Sequence, residues 1–521
     1  MKVFFQNYES WMQKTLKEIK ILLFFFVSIL FLINPCYAQS GNLRFGISGF
    51  PPSLGNPYSA MGLPAWHLWG NLYDGLTEIA DNGEVIPALA TKWEQTQPNI
   101  WVFTLRDNIK FHNDLPFDAT SVIETILFLK SKSAKRYLIA NEVKNIKSVQ
   151  ALSNYKIQIS TYKPDSILPR RLSIVMIIDH NLLNDIGPEG YGKNPIGTGS
   201  FKFLKWGVGN SSVTLKPFKK NKLNKTNINS LILHRIPNAL GREQALIAGD
   251  MDIVENINSD AFHKIKSEGF NMKVNQRSVI LSIALPNMIS KKSPLNLLKV
   301  RQALNYAVDK KSIAKHIFNG VVKPATQGSI KGTIGYHSDI KGYPYDPVKA
   351  RILLKEAGYP EGFKLNIAIL QLKGSSQEHA FQKVQQDLSA IGIETYIKPL
   401  SGSEFIFRFS NSDWEDYDAF SLLWNNEPMR DIGRSIEYFS CLRPNAFFCD
   451  KSINDLIVKS RIEENAEKRL VLLKNITSQL KESAPSIWLT NQTNITAWNK
   501  NIKNIHMGPT GIKFDNIRIE Q

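Results

Sequence analysis

A mixed α/β architecture is what this sequence predicts. It rests on short period-two apolar runs, longer helical runs with recognisable caps, and the interleaving of the two along the chain. No fixed-period repeat or low-complexity tract interrupts them. At 521 residues there is length for several domains or lobes with sizeable cores. With 43% hydrophobic and 21% charged residues, the composition matches soluble globular averages and excludes a disordered chain or a polytopic membrane protein.

The order begins with an export signal. Lys14, Lys17 and Lys20 precede an uninterrupted apolar run from Ile21 to Ile33, followed by Asn34-Pro35-Cys36-Tyr37-Ala38. This is the arrangement of a secretory signal peptide, residues 1–38, with cleavage expected after Ala38. As a helix the run spans roughly 20 Å, short of the roughly 30 Å hydrocarbon core, so removal rather than anchoring is expected. A start at Met12 would give a more ordinary leading segment than one containing Glu9 and Trp11. Lipidation of Cys36 is the lesser alternative, because Asn34-Pro35 lacks the small residues usual before an acceptor cysteine. Cys441 and Cys449 then remain in an exported chain, where an oxidising compartment favours one disulfide between them. Two unrelated buried thiols are the alternative, and no His pair at ligand spacing supports a metal site.

In the mature chain, Leu43 to Ile47 alternates as a strand feeding Phe50-Pro51-Pro52. Trp66 to Leu76 has helical spacing. Trp101, Phe103 and Leu105 alternate with Val102, Thr104 and Arg106, and Tyr155, Ile157 and Ile159 repeat that period, so both segments read as half-buried strands. Asp118 caps a helix over Ala119–Lys130. Asp346 and Pro347 open a helix that Gly358 closes, with Val348, Ile352 and Leu353 expected as its docking stripe. Ile453–Glu463 and Ala466–Ala484 form two more helices, the second closed by Pro485.

No Walker loop, HExxH or GxSxG elbow is present. Gly197-Thr-Gly199 and Gly207-Val-Gly209 read as turns. The nine histidines include no pair at i, i+3 or i, i+4, so a catalytic metal is not expected, and each reads as a surface or singly bonded residue. Asp413, Glu415 and Asp416 read as a solvated loop rather than an acid/base set. The excess of 64 Lys+Arg over 46 Asp+Glu gives a net +18. The Lys219–Lys225 cluster lacks a nucleic-acid motif, so the charge reads as a lysine-rich exterior with no nucleic-acid partner.

Several ordered blocks resemble the family 5 solute-binding proteins of bacterial ABC importers, which handle peptides, nickel chelates and related solutes. These blocks are Asn71–Glu78, Val85–Glu94, Trp101–His112, Pro116–Val122, Asn194–Phe201, Ala245–Ile253, Val300–Asp309 and Asp346–Phe363. The C-terminal third is most similar to the family's dipeptide-binding type, including Tyr438–Cys441 and Phe448–Asp450, where that type also carries a disulfide. The resemblance implies a periplasmic binding protein-like fold, two lobes joined by a two-strand hinge. Lobe I would comprise 39–284, with a subdomain inserted at about 87–194, and a return at 488–521; lobe II would comprise 285–487. The chain would cross near Ile280–Asn287 and Ser486–Thr493, and ligand would favour a closed state by contacts from both lobes.

By the same resemblance Leu423-Trp424-Asn425-Asn426-Glu427-Pro428 occupies the segment whose acid holds a peptide ammonium, placing Glu427 on the acidic position. Trp424 would line the pocket, with Asn425 and Asn426 beside it, although ordinary core for Trp424 and a surface loop for Glu427 are the alternatives. Lys373 falls near the position of a carboxylate-binding arginine, as a point charge rather than a fork, and Phe50 falls on the cleft loop after the first strand. The expected protein is a non-enzymatic, monomeric, periplasmic binder without a cofactor. It would deliver a short peptide or related small solute to an ABC permease complex in the inner membrane. A metal chelate or glycoside as solute, or an exported hydrolase, are the competing readings.

Overall fold

A computed structural model describes residues 41–520 except 59–62, 222–224, 372–374, 442 and 444. The expected signal segment with Cys36, and Lys373, lie outside the described residues.

The chain opens with β1 (Asn42–Ile47), whose alternate residues Leu43, Phe45 and Ile47 are fully buried. The helix Leu63–Leu72 follows, setting Trp69 and Leu72 into the same core. A hairpin, β2 (Thr77–Ile79) and β3 (Val85–Pro87), leads into an antiparallel sheet of β4 (Ala90–Gln97), β5 (Ile100–Leu105), β6 (Ile146–Ser153) and β7 (Lys156–Thr161), in the order β4-β5-β7-β6. The predicted alternation holds on its inward side, with Phe103, Leu105, Ile157 and Ile159 buried, but Val102 is buried as well. Asp118 caps the helix Ala119–Lys130 in a reciprocal box with Ser121.

The strands β8 (Phe201–Trp206), β9 (Ser212–Pro217), β10 (Ser230–Arg235), β11 (Ile253–Val254) and β12 (Asn271–Ala284) return to β1. Beyond them come β13 (Lys364–Leu370), β14 (Glu394–Leu400), β15 (Ala419–Asn425) and β16 (Ser486–Trp498). All join one ten-stranded sheet in the order β14-β13-β15-β12-β16-β11-β1-β10-β9-β8. Its hydrophobic cores divide in two. Residues up to Val274 and from Ile495 onward pack together on one side, joined by Met429 and Val321, and the other residues between Ile280 and Leu489 on the other. Among the strands of the described residues, β12 and β16 alone contribute to both, Met272 and Val274 against Ile280 and Ile283, and Ile495 and Ala497 against Ile487 and Trp488. These two antiparallel strands are the hinge, and the pairing between them slips between Gln276 and Ile280.

Two expectations are corrected here. In the helix Pro347–Glu356 the docking residues are Ala350 and Leu354, with the expected Leu353 partly buried beside them, while Val348 and Ile352 are 60% and 52% exposed. Small Ala350 leaves room at this contact, and its i+3 and i+4 neighbours Leu353 and Leu354 share that face. The Gly197 and Gly199 positions are not simple turns. A Cβ on Gly197 would lie 2.0 Å from the Leu72 carbonyl oxygen, and the Gly199 amide donates to that oxygen at 3.0 Å. Glycine is required there because the Asn194–Phe201 segment lies backbone-on-backbone against residues 71–73.

Cys441 and Cys449 are disulfide-bonded, with Cα atoms 4.7 Å apart. The helices Lys451–Ile462 and Ala466–Ser483 follow, the second ended by Ala484 in the left-handed region before Pro485.

Candidate functional site

The parallel strands β1 and β11 of lobe I and β13 and β15 of lobe II all end near the middle of the hinge, which brings their C-terminal loops together. Convergent strand ends are where α/β folds place ligands.

After β15, the Asn425 side chain accepts the Glu427 amide at 2.9 Å, turning the chain back toward the hinge. The Glu427–Pro428 peptide is cis. Asn426 is fully buried; its side chain donates to the Gly328 carbonyl at 2.9 Å and accepts from Ser435 at 2.6 Å. Glu427 turns its carboxylate onto β12. Oε1 accepts the Ser278 amide at 3.0 Å, and Oε2 accepts Arg277 Nε at 3.0 Å and Nη2 at 2.8 Å. Arg434 donates to the Glu427 carbonyl.

Trp424 does not reach a cleft wall. It is 1% exposed, stacks on Phe439 with ring centroids 4.3 Å apart, and donates to Ser486 Oγ at 3.2 Å. Gly328 makes its seat, since a Cβ there would lie 2.1 Å from the indole. Its role in this arrangement is core packing, which the alternation of β15 sets by turning it away from Leu423. Phe50 lies after β1, half-buried against Trp206 with centroids 5.6 Å apart in an edge arrangement. Asn425, Asn426 and Glu427 therefore come together at the hinge, while Trp424 is turned inward.

The loop carrying Phe50 is fixed by a pair that sequence reasoning treated as unremarkable. His67 Nε2 meets Glu255 Oε2 at 2.6 Å with both side chains 1% exposed, and Ser48 donates through its amide and hydroxyl to the other oxygen. Because the Ile512 amide donates to His67 Nδ1, the imidazole proton sits on Nε2 and points at the acid. Burial alone would push the Glu255 carboxyl up, but His67 and the Ser48 amide hold it below its ordinary range. His112 and His180 are also interior, and burial pushes each down to about 4. The expectation of surface or singly bonded histidines fails for His67 and His112, which bond through both ring nitrogens, while buried His180 has the single partner Thr125.

The lobes touch across the cleft through arginines that no motif indicated. From the short helix Leu168–Arg171, Arg170 donates to the Met429 carbonyl of lobe II at 2.5 Å and to Gly83 of lobe I at 2.7 Å, with Nε 3.9 Å from Asp431. Asp431 is held bidentately by Arg469 at 2.7 and 3.0 Å. Burial would raise its carboxyl, yet Arg469, then Arg170 and the Gly433 amide, hold it below the usual range. Arg171 binds Glu142 and Asp165 and reaches Glu437 of lobe II at 3.9 Å. Arg430 of lobe II donates back to the Asp81 carbonyl. Around these contacts lie two adjoining cavities of about 380 and 360 Å³, sharing Glu142, Lys144, Arg171, Gly433 and Glu437. A third, of about 690 Å³, opens beside β16 between Asn258 and Ser259 of lobe I and Ser375 and Gln377 of lobe II.

Among the described residues, no group of three His, Cys, Asp or Glu could hold a metal ion, and no helix is long and apolar enough to cross a membrane.

Comparison with known proteins places this arrangement. A family model described as bacterial extracellular solute-binding proteins, family 5 Middle, matches residues 84–445. The dipeptide-binding protein of Escherichia coli (strain K12) is 24% identical over 509 residues, covering 91% of this chain and 92% of that protein. Heme-binding protein A of Haemophilus influenzae is 26% identical over 504 residues, covering 89% and 88%. Among solved structures, the ABC transporter-associated periplasmic binding protein DppA from Helicobacter pylori, in complex with the peptide STSA, superimposes with a TM-score of 0.76. It is 21% identical, covering 92% of this chain and 98% of that one.

Proposed function

The chain belongs to family 5 of the bacterial extracellular solute-binding proteins, binders that serve ABC importers and are not enzymes, and we propose that it captures a short peptide or peptide-like solute between its lobes. It would do so in the periplasm, after removal of residues 1–38, as a single chain that hands the solute to an ABC permease complex in the inner membrane. We take lobe I as 39–284 plus 488–521 and lobe II as 285–487.

One observation carries this reading. The segment Asn425–Glu427 is anchored on hinge strand β12 while Arg170 and Arg430 tie the lobes across the cleft. A group bound at that crossing touches both lobes and therefore favours closure by its differential contacts. Phe50, on the loop after β1, and Lys373, outside the described residues, are kept as solute contacts on the family resemblance alone.

Native mass spectrometry of the mature protein purified from a periplasm tests the reading: one small solute per chain, released on unfolding, is the expected result. Peptides that neither copurify nor raise the melting temperature would move the solute to another class, such as the heme that a relative is named for. Sustained hydrolysis of peptides or glycosides, abolished by one carboxylate substitution, would overturn the binding role itself.

A further inference from the structure

Glu427 is already occupied. Its two oxygens accept three hydrogen bonds, two of them from the Arg277 guanidinium, and the pair is 11% and 28% exposed respectively. A carboxylate neutralised by a forked cation retains little attraction for a second one, so a solute ammonium would have to displace Arg277. The guanidinium is differently placed. Of its five N–H donors, Glu427 takes two. Among the described residues nothing accepts the Nη1 group, and the side chain keeps its partial exposure beside the hinge slip between Gln276 and Ile280.

From this geometry we infer that Arg277 is the specificity-determining residue of the cleft, and that the solute presents an anionic oxygen group, a carboxylate or a phosphate, to its free edge. Glu427 is then a positioning residue that holds the guanidinium plane. The inference rests on the proposed function in one respect, that the solute lies at the hinge crossing. It departs from the ammonium role that the family resemblance implies for Glu427.

The test uses the mature full chain and three matched probe sets, read by thermal shift and calorimetry. The first is dialanine and trialanine in free, N-acetylated and C-amidated forms; the second is glutarate against glutaramide; the third is glycerol 3-phosphate against glycerol. N-acetylation should leave binding unchanged, whereas removal of the anionic group should weaken it at least about tenfold, the scale of one charge-assisted bond. Arg277→Gln should abolish that discrimination, and Arg277→Lys should restore part of it. Arg277→Gln also frees Glu427, so preference should reverse toward the C-amidated, ammonium-bearing peptides, a reversal that a merely structural arginine would not give. If N-acetylation abolishes peptide binding, or amidation leaves it intact, the inference is overturned while the peptide reading stands. If no peptide binds but glutarate or glycerol 3-phosphate does so in an Arg277-dependent way, the inference stands and the peptide reading falls. If no set shows binding that depends on both the anion and Arg277, the inference is wrong.

Discussion

Replacing Arg170 by alanine should open the protein without unfolding it. Of the contacts this side chain makes, the bond to Gly83 stays within lobe I, so only the Met429 carbonyl at 2.5 Å and Asp431 at 3.9 Å are lost from the closed state. A hydrogen bond from a charged donor contributes about 1.5–3 kcal/mol net. Burial works against the Arg170 charge, drawing its pKa below the ordinary value despite Asp431, so the lower part of that range applies. About 2 kcal/mol corresponds to a shift of roughly 30-fold in the closed-to-open ratio, and to a loss of solute affinity of similar size if only the closed state binds tightly. Dyes on cysteines introduced at exposed Leu204 and Phe407 report the distance between lobes by single-molecule energy transfer. Arg170→Ala should populate the open distance and leave the denaturant midpoint nearly unchanged. An unaltered distance distribution, or a large loss of global stability, would refute the assignment of Arg170 as an interlobe tie.

Arg469→Met should behave in the opposite manner. It strands buried Asp431 within lobe II, costing roughly 3–5 kcal/mol in chemical denaturation, with any change in lobe distance secondary to that loss. Lys310 is enclosed beside Asn305 and Tyr343, and burial lowers its pKa to about 7. Between that value and the unfolded value of 10.5 the unfolded chain binds the extra proton, so this group makes stability rise with pH across that window, and its full penalty applies below about pH 7. Lys310→Met should therefore stabilise by on the order of 4 kcal/mol at pH 6, with the gain shrinking toward pH 10; a pH-independent difference in urea melts would contradict the burial argument. Gly197→Ala should destabilise by about 2–3 kcal/mol in the same melts, because its Cβ meets the Leu72 carbonyl at 2.0 Å. Replacing both Cys441 and Cys449 by serine should cost about 2.5 kcal/mol, the chain-entropy value for a loop with sequence separation 8.

What could be read from sequence was local. Asp118 and Asp346 cap the helices expected of them because a cap is decided within four residues. The strands around Phe103 and Ile157 follow from period two alone. The docking face of Pro347–Glu356 was not legible, since Val348 and Ile352 are as apolar as Leu354 and only the neighbouring helix decides between them. Trp424 carries no mark of being core. Its burial depends on Gly328, 96 positions away in the chain, vacating the space for its ring. The same holds for the charges that organise the cleft. Arg277 and Glu427 are 150 residues apart and Arg170 and Met429 are 259 apart, so no spacing rule joins them. His67 and Glu255, 188 apart, could be found only by knowing that β1 and β11 are neighbours.

Hydrogen exchange of the mature protein, with its copurified solute and after the solute has been stripped by unfolding and refolding, tests interlobe capture most directly. Closure around a solute predicts that bound protein gains protection at residues 81–83, 170–171 and 429–437 and along the hinge segments 276–280 and 490–493, while the cores of both lobes exchange alike in the two samples. Equal exchange at those segments, or protection confined to a surface remote from the hinge, would contradict it.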